Sequence, residues 1–380
     1  MTVVIDLNAH TIFITLAGSH AHGTARADSD IDLRGVCIAP LSARVSLRGT
    51  FEQHEGALDA ALLDRVLPRL RTHATAVRAI DRGIECAIFE LAKFFALCAN
   101  ANPNALEILF ADEADWVLET PAWRRLHAER RRFLSRKVES TFLGYALQQL
   151  KRIKSHRAWL LSPPAAKPTR QAFGLPEQGT LHRQDRERIE QAVGDKLRDW
   201  GIDNIEMPSA ARSSMKERLE SFWRECLASS EKLPEDDMKS LAEKSLGLPA
   251  ETVALLGRER KYRAALRNWD SYQTWLASRN PARARLEAQF GYDTKHAAHL
   301  VRLMQTGLEL SRTGELHVRR PNATELVAIR DGALSYEQLV AEAERLQADL
   351  STKAALSVLP EQVDLDALDA LLCELVQASG

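Results

Sequence analysis

The chain has 380 residues, 45% hydrophobic and 27% charged, with a formal net charge of −1 at pH 7. That size and balance predict a soluble globular protein of two or three packed domains. No stretch approaches the ~18 uninterrupted apolar residues of a membrane span, and the opening MTVVIDLNAH lacks a basic region followed by an apolar block, so a cytoplasmic protein is expected. Five cysteines, Cys37, Cys86, Cys98, Cys226 and Cys373, show no CxxC spacing. They read as reduced core residues rather than zinc ligands or disulfides.

Along the chain, β-branched and aromatic residues predict a strand over Thr11–Leu16 and a second from Ile31 through Val36 to Ile38. A helical stretch is expected from about Leu58 to Val77, a strand over Gly83–Ile88 and a helix from about Phe89 to Ala99. The NANPN run at Asn100–Asn104 is punctuation. Beyond it apolar residues recur every three or four positions, as in TFLGYALQQLKRI and HAAHLVRLMQTGLEL, which predicts helices. Pro163, Pro164 and Pro168 mark a loop, and about 185–248 reads as a charged helical insertion. The expectation is α+β: a small α/β domain over 1–110 followed by a larger all-helical domain over 111–380.

The segment LAGSHAHGTARADSDIDLRGV, Leu16–Val36, carries the chemistry. Gly18 and Ser19 leave a strand for a helical turn, where backbone N–H groups and a hydroxyl favour an anion such as a triphosphate. Asp30 and Asp32 occupy alternate positions, so two carboxylates share a face while Ile31 and Leu33 turn to the core. Like charges that close call for a hard divalent cation with oxygen ligands. Two-metal nucleotidyl transfer needs a third carboxylate. Glu85 is the candidate: in the apolar strand GIECAIF an ionised side chain buried without a partner is costly, and a metal would supply one. Each part has a plainer alternative: a turn for Gly-Ser, a cap for the aspartates, an exposed edge position for Glu85.

Taken together, GSHAHGTARADSDIDLRGV resembles the signature of the DNA polymerase β nucleotidyltransferase superfamily, a Gly-Ser followed by a hydrophobic-flanked Asp-x-Asp. The chain more narrowly resembles the RlaP type, nucleotidyltransferases associated with RNA repair genes. FELAKFFALCANANPNALEILF, GYALQQLKRI, KPTRQAFGLP, ERKYRAAL, RNPARARLEAQFGYDTKHAAHLVRL and TGELHVRRPNATELVAIRDG carry that likeness. The resemblance implies Asp30 and Asp32 as metal-binding aspartates and Gly18 and Ser19 as the phosphate-binding pair. Glu85 falls where the family has an acidic residue, although many members have Asp there.

Further candidates cluster on charge. In YDTKHAAHLVRL, Asp293 is a plausible N-cap, which sets Lys295, His299 and Arg302 on one helix face able to reach phosphate; the alternative for His299 is a hydrogen-bonded core histidine. His296 falls on another face. Arg34 shares a side with the aspartates and would contact triphosphate or pair with them. Arg26, His20 and His22 lie nearby in the same segment. Lys167 and Arg170, on a Pro-stiffened loop, are read as binding groups or as solubilising charges, and Tyr262 between Lys261 and Arg263 as a base-stacking ring or a packing one. Between Arg124 and Arg157 eleven Lys or Arg face two acids, whereas from Glu337 to Glu374 nine acids face two bases. The basic run is either a polyanion footprint or the partner of that acidic segment.

These features predict a magnesium-dependent nucleotidyltransferase with a two-metal site at Asp30, Asp32 and Glu85, and a nucleotide held by Gly18, Ser19, Arg34, Lys295, His299 and Arg302. It would transfer NMP from an NTP to an RNA end, tRNA among the candidates, and release pyrophosphate. The alternatives are transfer to a protein hydroxyl, as in AMPylating antitoxins, or to a small molecule. A different class of reading is a catalytically inactive nucleic-acid-binding module.

Overall fold

The computed structural model of the chain describes residues 4–47, 49–175, 177, 191, 195, 213, 217, 250–353 and 357–378. The fold is α+β, as expected: a mixed five-stranded sheet with its helices, then a helical C-terminal region. The strands are β1 (Thr11–Leu16), β2 (Ile31–Cys37), β3 (Gln53–Gly56), β4 (Ile84–Glu90) and β5 (Trp116–Glu119), in spatial order β3-β4-β2-β1-β5. Only β2 and β4 run parallel; the other pairs are antiparallel. Most of the charged insertion, and Cys226 with it, lies outside the described residues.

The chain divides into two compact units, residues 1–160 with 281–380, and residues 161–280. The sheet extends past residue 110, because β5 pairs with β1 and the helix Pro121–Ala128 follows it. A catalytic domain ended at 110 therefore lacks its own fifth strand.

Every residue of β1 is buried, since both faces of this strand are covered. On one face Ile14, Leu16, Ile31, Leu33 and Ile88 pack with Leu62, Val66 and Leu70 of the helix Ala60–Thr72. The i, i+4, i+8 spacing of those three puts them on one stripe. That helix starts where Asp59 accepts the Leu62 N–H at 2.7 Å. On the other face Phe13 stacks on Trp123 with centroids 3.6 Å apart, and Phe94 and Phe133 join the same core.

This second core continues into the C-terminal helices. The helix Thr294–Thr313 buries Ala297, Leu300, Val301, Met304 and Leu310. It approaches the helix Lys137–Leu161 at Gly307, where a Cβ would stand 2.9 Å from Phe142 Cβ. Asp293 caps it as expected, its Oδ1 accepting from the Lys295 and His296 amides at 2.9 and 3.0 Å.

Cys37, Cys86 and Cys98 are buried and free, and burial pushes the Cys37 and Cys86 thiols up to about 12. Cys373 departs from the core expectation by being exposed. Among the described residues no helix is long and apolar enough to cross a membrane.

Candidate active site

The turn from β1 into β2 is built around one glycine. Gly18 has φ +59, the left-handed region that favours glycine, and a Cβ there would collide with Asp32 Oδ2. Just ahead of it the Ala17 amide donates to the Asp32 carbonyl at 2.8 Å, so the Gly-Ser turn is held directly against the second aspartate. Ser19 is half-buried in the short helix Gly18–His22, which ends at Gly23 with a second left-handed glycine. Asp30 is exposed and immediately precedes β2, whereas Asp32 is half-buried within it.

Glu85 arrives from a different strand. In the parallel register Asp32 is the partner of Glu85, so neighbouring strands present the two carboxylates at the same level on one face. Glu85 is exposed, which corrects the expectation that burial cost would demand a metal there. Register places it, not desolvation. Glu90 cannot substitute for it: five residues on, it points to the opposite face, is buried, and caps the next helix by accepting from Ala92 N at 2.6 Å.

Arg34 Nη2 stands 3.8 Å from Asp32 Oδ1, while its Nη1 donates to the Leu33 carbonyl at 2.8 Å. It sits beside the aspartates, as expected, and leaves Asp32 without a close hydrogen bond from it. Arg26 is turned away to Asp331 and the Val327 carbonyl.

The predicted stripe on Thr294–Thr313 divides. Lys295 is exposed, and Asp30 and Asp32 are near enough to favour its charged form. Partial desolvation by the surrounding chain nevertheless lowers its pKa, aided by Arg283 and Arg330. His299 and Arg302 belong elsewhere. Arg302 is 5% exposed and bonded to Glu107, and it reaches His299 Nδ1 at 3.0 Å. His22 Nε2 meets the other Glu107 oxygen at 3.1 Å. Burial pushes Glu107 upward, but Arg302 and His22 outweigh it and hold the carboxyl well below its usual range. Burial, then Arg302, depresses His299 to about 3. The charges of Glu107 and Arg302 are paired within this closed cluster, and His299 is half-buried and hydrogen-bonded, which fits its alternative reading better than a phosphate contact.

His20 lies near the aspartates, as its place in the segment suggested, and it is joined by neighbours that have no signal in the sequence. His20 is 2% exposed, with Nδ1 2.8 Å from Thr75 Oγ1, and burial lowers its pKa against the opposing pull of Asp30 and Asp32. His73 accepts the Thr75 and Ala76 amides at Nδ1, so its Nε2–H donates to the wholly buried Asp115 at 3.1 Å. Arg283 and Arg330 sit around Lys295. Both lie in segments that carry the family likeness, but nothing in their local pattern distinguishes them from other surface arginines.

The basic run is largely engaged. Arg124 pairs with Glu119, Arg125 with Glu129 and Glu374, Arg131 with Glu315, and Arg157 with Glu337. Two of these partners belong to the acidic C-terminal segment. Lys151, Arg152 and Lys154 are exposed. In residues 161–280, Arg170 forms a bidentate pair with Glu259, which Arg263 also contacts, and Tyr262 lies under the Arg170 guanidinium. Those groups hold their own unit together.

Residues 2–160 match the family described as RlaP, RNA repair pathway DNA polymerase beta family. The likeness carried by the Gly-Ser and Asp-x-Asp motifs is thus borne out over that stretch, and the similar blocks beyond residue 160 lie outside the match. The chain is also 26% identical over 142 residues to an uncharacterized 38.9 kDa protein in the nrdC-mobD intergenic region of Enterobacteria phage T4. That alignment spans 37% of each protein. No solved structure matches the chain.

Proposed function

We propose that this protein is a magnesium-dependent nucleotidyltransferase that moves a nucleoside monophosphate from an NTP to an RNA end and releases pyrophosphate. The observation that carries this reading is the β2–β4 register, which sets Glu85 level with Asp32, with Gly18 seated on the Asp32 carboxylate. The family matched over residues 2–160 supports the same reaction class.

Magnesium fits the donor set. Asp30, Asp32 and Glu85 offer carboxylate oxygens, and the missing Cβ of Gly18 leaves Asp32 Oδ2 room that any other residue would fill. When bound there, the metal ions supply charge neutralisation for the triphosphate and the reacting oxygens. The Gly18–Ser19 amides and the Ser19 hydroxyl bind phosphate oxygens, and Lys295 adds a cation on the side of the aspartates. Glu85 accepts at its carboxylate the proton of the acceptor hydroxyl. The acceptor oxygen bonds to the α-phosphorus as the bond to the bridging oxygen of pyrophosphate breaks. RNA is drawn to the exposed Lys151, Arg152 and Lys154.

The ion pairs of Arg124, Arg125, Arg131 and Arg157 favour a second reading of the acceptor. They shrink the polyanion footprint and leave a protein hydroxyl or a small molecule in contention. The test is incubation with magnesium and each α-labelled NTP in the presence of total RNA or lysate protein, with Asp32→Asn as control. Label on RNA is expected. Label confined to protein transfers the proposal to the second acceptor, and label on no fraction with any NTP overturns the reaction.

A further inference from the structure

We propose that His156, Asp293 and His296 form a binding site for a borderline-soft divalent cation of the zinc class, separate from the Asp30, Asp32 and Glu85 carboxylates. His156 lies on the helix Lys137–Leu161, and the other two open the helix Thr294–Thr313. One ligand atom from each lies within 4.8 Å of the other two. Two imidazoles and a carboxylate are the nitrogen and oxygen donors zinc takes, whereas magnesium favours oxygen alone.

The hydrogen bonds around His296 point to a cation. Its Nδ1 lies 2.9 Å from Gln149 Oε1. A carbonyl oxygen only accepts, so Nδ1 carries the hydrogen and donates. In the neutral ring Nε2 is then a lone pair, and it faces Asp293 Oδ2 at 3.6 Å. Two acceptors at that separation repel, and a proton on Nε2 or a cation between them relieves it; a metal ion does so while leaving the Nδ1–H on Gln149. Tetrahedral zinc with bonds of about 2.0–2.1 Å holds its donors roughly 3.3 Å apart, close to the observed gap. Gln149 plays the part of the outer partner that fixes a metal-bound histidine by accepting its second N–H.

The carboxylate is divided in the same sense. Asp293 Oδ1 is committed to the cap and Oδ2 is turned toward His296. Arg283 Nη1 is 3.9 Å from Oδ2, an ion pair beyond hydrogen-bond reach. Glu287, 2% exposed, approaches His156 Nδ1 at 3.9 Å and adds a second buried carboxylate to the cluster. A metal here would tie two helices whose sequence positions are more than a hundred residues apart. It would also clamp the backbone on both sides of Lys295, which lies within electrostatic range of Asp30 and Asp32.

The full chain, stripped with chelator and re-dialysed, is titrated with Zn2+ by calorimetry and with Co2+ by visible absorption. One ion per chain is expected, with the strong absorption of a tetrahedral Co2+ site. His156→Gln and His296→Gln should each abolish that stoichiometric binding, and Gln149→Leu should weaken it by roughly 10–100-fold. Asp30→Asn with Asp32→Asn should retain it, so failure of this site and failure of the transfer reaction register separately. In wild-type protein, where no variant need fold, Zn2+ should protect His156 and His296 from acylation while the exposed His317 remains reactive. Absence of stoichiometric binding, binding unchanged in both histidine variants, or loss of binding in the double aspartate variant would each overturn the proposal, as would unprotected histidines.

Discussion

Two groups of charged residues, both assembled from distant parts of the chain, behave in opposite ways. Glu107, Arg302, His22 and His299 form a buried to half-buried set in which Glu107 meets Arg302 and His22 Nε2, and Arg302 also reaches His299 Nδ1. Asp32 and Glu85 stand at one level of the sheet and Asp30 just ahead of β2, all exposed or half-buried, with Arg34 no closer than 3.8 Å to Asp32. A closed network stabilises a fold only while every member remains, because removing one partner leaves an uncompensated buried charge. An open set of like charges contributes little to stability and is suited to meeting a ligand.

The contrast is broken most directly at the open site. Asp32→Asn or Asp30→Asn should lower the initial rate of NMP transfer by roughly a thousandfold or more, since several kcal/mol of metal-dependent stabilisation is lost. The melting temperature without metal should stay level or rise as repulsion is relieved. Unfolding of either variant would show that these carboxylates are structural.

At the closed site the expected result is reversed. Arg302→Met strands Glu107 and should destabilise the protein by about 3–5 kcal/mol, read as a fall in the denaturation midpoint. The exposed Arg131–Glu315 pair provides the scale, and breaking it should change stability by about 0–1 kcal/mol. A mild Arg302→Met phenotype would erase the distinction between the two groups.

Glu85→Gln sharpens it within the open site. Turnover should fall by about 10²–10⁴ while KM for NTP changes little, because the Gly18–Ser19 turn and both aspartates remain. Steady-state kinetics that place the whole loss in KM would remove Glu85 from proton transfer.

The closed regions also set the pH response. Burial holds His299 at about 3 and His127 at about 4, both below the ordinary 6.5. Below 6.5 the unfolded chain therefore binds protons that the folded chain does not, so this contribution is complete above that pH and is lost as pH falls toward 4. Thermal unfolding between pH 7.5 and 4.5 should show the decline, and His127→Phe, which keeps a ring against Trp116 and Trp123, should flatten part of it. A stability that rises on acidification would contradict the sign.

The smallest effect concerns the basic run. Charge reversal of Lys151, Arg152 and Lys154 should reduce the slope of log K against log salt for a single-stranded RNA by roughly 0.7 for each phosphate that is no longer neutralised. Reversal at Arg131, already paired with Glu315, should move it less. Equal slopes in both variants would withdraw RNA binding from this helix.

What the sequence determined by itself was local. A run of β-branched and aromatic residues suffices for β1, whose limits fall at Thr11–Leu16 as expected, and the glycine that the turn requires stands beside an Asp-x-Asp whose alternation is a property of any strand. Asp293 could be read as a cap for the same reason, since a cap acts within three residues. The short strands β3 and β5 were illegible, because QHEG and WVLE acquire strand geometry by pairing with β4 and β1 rather than from their own pattern. Tertiary structure alone decided that Glu85 meets Asp32 by register, that Lys295 stays exposed within electrostatic range of the aspartates while Arg302, two turns along the same helix, is sealed against Glu107, and that Arg125 and Arg157 are spent on Glu374 and Glu337. The reason is physical: whether a charged side chain is open or closed depends on which distant group fills the space around it, and only the packed chain sets that distance.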